Sequence, residues 1–236
     1  MTASRKYTLV STFATLLSLV VLARPSAAQS YNAAGDFSIS SNPNGAWSYG
    51  WSTSLGSAFI PSTIATNAYM GFTLEGWLGN SDSSLTPYVL HNATTTIVNN
   101  NPTTPYQPGQ LAEHPGAQGQ YEVVRWTAPF SGTFSINATF SGLGSLGDSA
   151  DVHILRNGIS IFNSTVIGSP SPTSFSGLQS IVAGDTIDFA VGFGSNGNNA
   201  SDTTALSATI VPEPGTLGLV AMSLAGLLSF RFLKWK

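Results

Sequence analysis

The sequence predicts an all-β domain, a β-sandwich of the jelly-roll type, flanked by a signal helix at the N-terminus and a transmembrane helix at the C-terminus. Two observations predict the sandwich: short stretches alternate apolar and polar residues with a period of two, and turns rich in Gly, Asn and Pro separate them. A third is that residues 29–211 contain no amphipathic helical pattern. At roughly 180 residues, this region is long enough for one domain with its own core.

The N-terminus has the pattern of a secretory signal peptide. Arg5 and Lys6 precede an uncharged, mostly apolar run over residues 7–23, and small residues follow up to Ala28. We predict a signal peptide over residues 1–28, cleaved after Ala28 by signal peptidase; the alternative is an uncleaved anchor helix.

The C-terminus carries three parts in a fixed order. These are Pro212-Glu213-Pro214, an uncharged apolar run over residues 215–230, and the basic residues Arg231, Lys234 and Lys236. The run is slightly shorter than the roughly 20 apolar residues that cross a bilayer core, and the basic side chains beyond it can reach the head groups. We predict a transmembrane helix here, which makes the domains 1–28, 29–211 and 212–236. Because basic residues mark the cytoplasmic side at both ends, residues 29–211 are expected outside.

Strands in the first half are predicted from short β-rich runs. They are Phe37–Ser40, Trp47–Trp51, Ala68–Leu74, Leu85–Leu90 and Thr94–Val98. Residues 99–119 are rich in Asn, Pro and Gly, so we expect a long loop or a hinge between two sheet layers.

Strands in the second half are clearer. They are Tyr121–Thr127, Thr133–Phe140, a hairpin over Asp151–Asn163, residues 186–193 and Thr204–Ile210. Asn157-Gly158 fits a type I′ turn, which requires positive φ at both central residues. That turn places Ile154 opposite Ile161, and it predicts one core face made of Val152, Ile154, Ile159 and Ile161.

The charge of the central region excludes nucleic acid as a partner. Residues 29–211 hold two cations, Arg125 and Arg156, against ten carboxylates, for a net charge of −8. Binding to nucleic acid requires a clustered basic surface. The chain has no cysteine, which excludes disulfides, thiol catalysis and thiolate metal sites.

A row of aromatic residues is the candidate carbohydrate site. Trp47, Tyr49 and Trp51 are spaced by two, so on a strand all three rings face one way, and Trp77 and Tyr69 could extend the row. Planar rings can stack on the apolar faces of sugars. The alternative is that these rings belong to the core.

Four aspartates are the candidate calcium ligands. They are Asp148, Asp151, Asp185 and Asp202, near Gly- and Asn-rich loops in the second half of the chain. Calcium takes six to eight oxygen ligands, and the loop over residues 194–202 offers further amide oxygens. The alternative is that these are solvated turn residues, so the only cofactor considered is a structural Ca²⁺.

No catalytic residue is predicted. His91, His114 and His153 lie in no metal-binding spacing, and no Gly-x-Ser-x-Gly sequence is present. Glu75, Glu113 and Glu122 could supply the acid and base of a secreted polysaccharide hydrolase or lyase, but their spacing singles out no pair. We therefore expect a protein that is not an enzyme, and we keep the hydrolase or lyase as the alternative.

The tail over Pro212, Glu213 and Pro214, the apolar segment and the basic terminus resembles the PEP-CTERM sorting signal. This resemblance implies export, then processing by an exosortase near the Pro-Glu-Pro, in bacteria that make extracellular polysaccharide. The alternative is an ordinary C-terminal membrane anchor.

Further sequences resemble ectodomains of other PEP-CTERM proteins. They are Asp36-Phe37-Ser38, Asn42 to Trp51, His114-Pro115-Gly116, Arg125 to Pro129, Asp151 to Ile154 and Gly184 to Phe189. Such domains are similar to carbohydrate-binding jelly rolls. We expect a cell-surface or extracellular-matrix protein, held in the membrane before processing, whose partner is extracellular polysaccharide or the matrix itself.

Overall fold

Two β-sheets packed face to face form the region from Ser30 to Val211 in this computed structural model. The structure describes residues 29–79, 85–100, 103–144 and 149–214. The predicted signal helix and residues 215–236 of the predicted transmembrane helix lie outside these ranges. Within them, no helix has the length and apolar character needed to cross a bilayer.

The described ranges contain sixteen strands, and the one helical element within them is a 3₁₀ turn at Gly194–Asn196. The strands are β1 (Tyr31–Asn32), β2 (Trp47–Ser52), β3 (Ile60–Pro61), β4 (Ile64–Thr66), β5 (Glu75–Leu78), β6 (Tyr88–His91), β7 (Val98–Asn99), β8 (Pro105–Tyr106), β9 (Leu111–His114), β10 (Tyr121–Thr127), β11 (Gly132–Gly142), β12 (Asp151–Arg156), β13 (Ile159–Thr165), β14 (Thr173–Ile181), β15 (Thr186–Gly192) and β16 (Thr204–Pro212). The all-β prediction is confirmed for the described residues.

The two large sheets divide the strands between them. The first sheet has the order β14-β11-β16-β9-β6-β5-β4, with β1 also pairing with β16. The second sheet has the order β13-β12-β15-β10-β2-β3, and β7 pairs with β8 in a small ribbon. From β9 to β16 the chain crosses between the sheets at almost every step, and only the β12–β13 hairpin stays within one sheet.

The main core lies between the two sheets. Trp126 of the second sheet meets Phe134 of the first edge to face, with ring centroids 5.1 Å apart, and Phe162 meets Phe175 at 5.7 Å. Alternation on β11 sends its apolar side chains into this core and its polar side chains outward. The core therefore holds the sandwich together without disulfides.

The β12–β13 hairpin has the predicted turn but a different register. Asn157 and Gly158 have φ of 51° and 79°, as a type I′ turn requires. A β-bulge between Ile154 and Leu155 shifts the pairing, so Ile154 lies opposite Phe162 instead of Ile161. The predicted core face is therefore wrong at Ile159, which is 74% exposed.

Three predicted strands are not formed in the described residues: Phe37–Ser40, Ala68–Leu74 and Thr94–Val98 are turns and irregular segments, apart from Val98, which begins β7. In the last, the side chains of Asn92 and Thr94 accept hydrogen bonds from the N–H groups of Thr94 and Thr96, which competes with sheet pairing. In the second, the chain turns back on itself between Tyr69 and Phe72.

The predicted loop over residues 99–119 is wrong in its centre. It contains β9, which lies between β16 and β6 in the first sheet and is buried over its first three residues. β14 was not predicted either.

Candidate functional site

The aromatic row is buried in the core and does not form an open sugar platform. Trp47 is 1% exposed and Tyr49 is 0% exposed, and the buried Trp77 belongs to the same cluster. The indole N–H of Trp47 donates to Asp36 Oδ2 at 3.1 Å, and that of Trp77 donates to the Ser38 carbonyl at 2.9 Å. Trp51 is half-buried, and Tyr69 packs against Tyr88 in a second buried cluster.

Of the described calcium candidates, Asp185 lies apart from Asp151 and Asp202. Asp185 lies at the hairpin turn, where Arg156 and Asn157 each donate to it at 2.9 Å. The Val182 N–H, then Asn157 and Arg156, lower the pKa of Asp185 to about 2. Asp151 lies at the opposite end of β12 from Arg156, roughly 17 Å away at the usual rise per residue.

Asp148 lies outside the described residues. Among the residues that are described, no group of three or more His, Asp or Glu side chains is arranged to hold a metal ion.

Asp151 is the centre of a hydrogen-bonded cluster at one end of the sandwich. Its Oδ2 accepts from Tyr121 Oη at 2.6 Å and lies 3.0 Å from His153 Nε2, while its Oδ1 accepts from the Gly194 N–H at 2.8 Å. Burial raises the pKa of Asp151, but the hydrogen bonds from His153, Tyr121 and Gly194 outweigh it and leave the pKa below its usual value.

Asp202 is a second buried carboxyl at this end. Its Oδ1 accepts from the Ser149 N–H at 3.2 Å, and its Oδ2 has no hydrogen-bond partner among the described residues. Burial raises the pKa of Asp202 to about 6. The hydrogen bond from the Ser149 N–H opposes this shift, and the charge of Asp151 adds to it.

Glu113 lies on β9 of the first sheet and Glu122 on β10 of the second, and both residues are 0% exposed. None of their four oxygens has a partner that meets hydrogen-bond geometry in the described residues. Burial raises the pKa of both well above 4.5; the Val124 backbone opposes the shift at Glu113, and the nearby Glu113 reinforces it at Glu122. Both therefore keep their protons to a higher pH than an ordinary glutamate, and in this structure neither reaches the surface where a polymer could bind.

The other carboxylates of note are paired. Glu75 Oε1 lies 3.0 Å from His91 Nδ1. Arg125 donates twice to Asp188, at 2.7 and 2.8 Å, and its guanidinium lies 4.3 Å from the Phe59 ring centroid. Both cations of residues 29–211 are thus engaged in ion pairs with aspartates, which leaves no free cation in the described part of this region to attract an acidic ligand.

An open polar surface, which sequence reasoning did not single out as a site, lies on the outer face of the first sheet. We call it the hydroxyl face. It spans the neighbouring strands β14, β11 and β16, and its polar members are Thr133, Ser135, Asn137, Thr139, Ser141, Ser174, Ser176, Ser180, Ser207 and Thr209. The alternation of polar residues along β11 was the sequence signal for it.

Side chains on the hydroxyl face are linked across the strands. Ser176 Oγ donates to Asn137 Oδ1 at 2.6 Å, and the hydroxyls of Thr139 and Ser174 are 2.8 Å apart. Part of the outer face of the second sheet is covered: Val123, Leu155 and Ala190 are buried beside Phe59.

A groove of about 210 Å³ lies on the hydroxyl face, over β11, β16 and the segment that leads into β9. Its polar lining includes Gln110, Thr139, Ser141 and Ser207, and its apolar lining is Ala34, Leu111, Ala205 and Leu206. A groove that combines hydroxyl and amide groups with apolar atoms, and that carries no charge, suits a neutral polyol.

Comparisons with known proteins give weak similarities. No protein-family model matches the chain, and no curated protein matches it. A family 51 carbohydrate-binding module from Clostridium perfringens, in complex with methyl-galactose, is 12% identical, with 78% of this chain and 99% of that one covered at a TM-score of 0.39. A family 35 carbohydrate-binding module from Clostridium thermocellum is 10% identical, with 62% and 95% covered at 0.29.

An isomalto-dextranase from Arthrobacter globiformis T6, complexed with panose, is 12% identical, with 65% of this chain and 24% of that one covered at a TM-score of 0.31. Similarities this weak carry no argument about the ligand or the activity of this chain.

Proposed function

We propose that this chain is an exported, non-enzymatic protein of the cell surface or extracellular matrix whose sandwich binds neutral polysaccharide. The observation that carries this proposal is the hydroxyl face with its groove. Sugar recognition requires donors and acceptors beside apolar atoms, and a hydroxyl group supplies both a donor and an acceptor. The groove is smaller than the roughly 300–1,000 Å³ of a pocket for a drug-sized ligand. Its size therefore suits a single sugar unit of a polysaccharide.

The proposed ligand is neutral because nothing on the face complements a charge. The groove lining contains no Lys, Arg, Asp or Glu, and the two arginines of residues 29–211 lie elsewhere in ion pairs. Residues 29–211 have a net charge of −8, which would repel acidic polysaccharides.

The finer fold that we propose is a jelly roll. In support, β9, β11, β14 and β16 are neighbours in one sheet, while β10, β12, β13 and β15 are neighbours in the other. Eight strands that alternate between two sheets in this way build the two Greek keys of a jelly roll.

The binding proposal is tested with a glycan array probed with residues 29–214, which contain all sixteen assigned strands and both halves of the core. We expect binding to neutral polysaccharides that does not weaken when salt is raised. Binding to no glycan, or to acidic glycans alone, would contradict it.

We also propose the export route that the two ends imply: cleavage by signal peptidase after Ala28 and processing by an exosortase near Pro212-Glu213-Pro214. Glu213 and Pro214 are exposed and follow the last strand, which supports access by an enzyme. Mass spectrometry of the protein recovered from the cell surface should give a chain that begins near Gln29 and ends near the Pro-Glu-Pro. An intact chain in the cytosol would exclude this route.

A further inference from the structure

The two sides of the sandwich differ in how their sheet edges are protected. On one side the sheets end in β4, with three residues, and β3, with two residues including Pro61. On the other side they end in β14, with nine residues, and β13, with seven. Very short strands and proline are devices that prevent an edge from pairing with another chain, and the second side has neither.

β14 is the more regular of the two long edges. Its nine residues pair with β11 in one unbroken register, whereas the pairing of β13 with β12 is interrupted by a bulge. No strand of the described residues pairs with the outward side of β14. In an antiparallel sheet, every second residue of such an edge presents its N–H and C=O outward, here over about 30 Å.

The same side of the molecule is uncharged and partly apolar. No Asp, Glu, Lys, Arg or His occurs from Asn157 to Gly184, or from Pro129 to Gly147. The first stretch exposes four large apolar side chains, at 60–74% of their surface: Ile159, Ile167, Leu178 and Val182. Two copies of an acidic protein can approach along this edge without bringing like charges together.

We propose that β14 pairs antiparallel with β14 of a second copy of this chain, which joins the two first sheets into one continuous sheet. Gly177 is the midpoint of Thr173–Ile181, so a two-fold axis there uses the whole strand. In this register Ser176 lies opposite Leu178 of the second copy. The two Leu178 side chains then become diagonal neighbours on one face and cover each other. This inference does not depend on sugar binding.

Sedimentation velocity of residues 29–214 without glycan tests the proposal. We expect a dimer for the unmodified protein, and monomers for Ser176→Lys and Leu178→Lys with unchanged melting temperatures, because a lysine on an edge strand blocks pairing. Ser207→Lys is the matched control: it is exposed on the same face, two strands from the edge, and should remain dimeric. A monomeric unmodified protein, or dimers in both edge variants, would overturn the proposal.

A second experiment uses the absence of cysteine in the chain. In Leu178→Cys, a short bis-maleimide should join two copies into a covalent dimer, while the same reagent should leave Ser207→Cys monomeric. Equal cross-linking of the two variants would exclude edge pairing. Because no glycan is present, failure here is distinct from failure of the binding proposal.

Discussion

At the scale of single residues, the most unusual feature is the buried pair Glu113 and Glu122. An ionised carboxylate without a hydrogen bond is costly in an apolar interior, so each carboxyl keeps its proton to a higher pH in the folded state than in the unfolded chain. In the unfolded chain both would ionise near the ordinary value of 4.5. Above that pH, the folded state holds protons that the unfolded state has released.

The pair should therefore make the protein less stable as pH rises. Because the folded pKa values are raised, the free energy of unfolding is highest below pH 4.5 and falls as pH rises towards the folded pKa values. In Glu113→Gln and Glu122→Gln, we expect melting temperatures that decline less from about pH 5 to about pH 8. The exposed Glu213→Gln is the control and should behave like the unmodified protein. An unchanged pH profile in both buried variants would contradict the protonated pair.

The aromatic residues show what the sequence could and could not predict at this scale. Period-two spacing correctly places Trp47 and Tyr49 on one face of β2. It does not say whether that face is covered, because this depends on β5 and β6 in the opposite sheet, which come later in the chain. Sequence spacing alone therefore left a sugar platform and a core role both open, and the structure places Trp47 and Tyr49 in the core.

At the scale of elements, the sequence predicted correctly those strands and turns whose backbone conformation depends on neighbouring residues in the chain. β10 has the predicted bounds, and Asn157-Gly158 forms the predicted turn. The bulge was not predictable from the turn, because it leaves Ile161 of β13 unpaired while β12 keeps an unbroken register with β15. β9 was missed because it is short and follows a segment rich in Asn and Pro, although it becomes a central strand of the first sheet.

The hairpin turn gives a test at this scale. Gly158 has φ of 79°, which a β-branched residue adopts only with strain, and a Cβ there would lie 3.2 Å from the Gly56 carbonyl oxygen. Gly158→Val should lower the free energy of unfolding by about 1–3 kcal/mol, measured by urea denaturation. Gly132→Val is the control. Gly132 lies in strand β11, and a Cβ added there would be 3.6 Å from the Phe134 ring, an ordinary contact distance. Equal losses in both variants would exclude the turn geometry as the cause.

At the scale of the whole molecule, charge and exposure are distributed unevenly. Both arginines of residues 29–211 form ion pairs on the second sheet, whereas β11, β13 and β14 carry no charged side chain. The sequence showed this uncharged stretch, but only the strand order shows that it forms one side of the sandwich. The hydroxyl face and the β14 edge are adjacent on that side, which would allow binding and assembly by one molecule.

The most direct test of the account is glycan affinity after the groove is filled. Ser207→Leu and Ser141→Leu place apolar side chains in the groove on the hydroxyl face, and Ser160→Leu makes the same change on β13 of the other sheet. Titration calorimetry with the neutral polysaccharide that binds best should show at least about a tenfold loss of affinity, or about 1.4 kcal/mol, for the two groove variants and none for Ser160→Leu. If both groove variants bind the polysaccharide with the same affinity as the unmodified protein, the hydroxyl face is not the binding site.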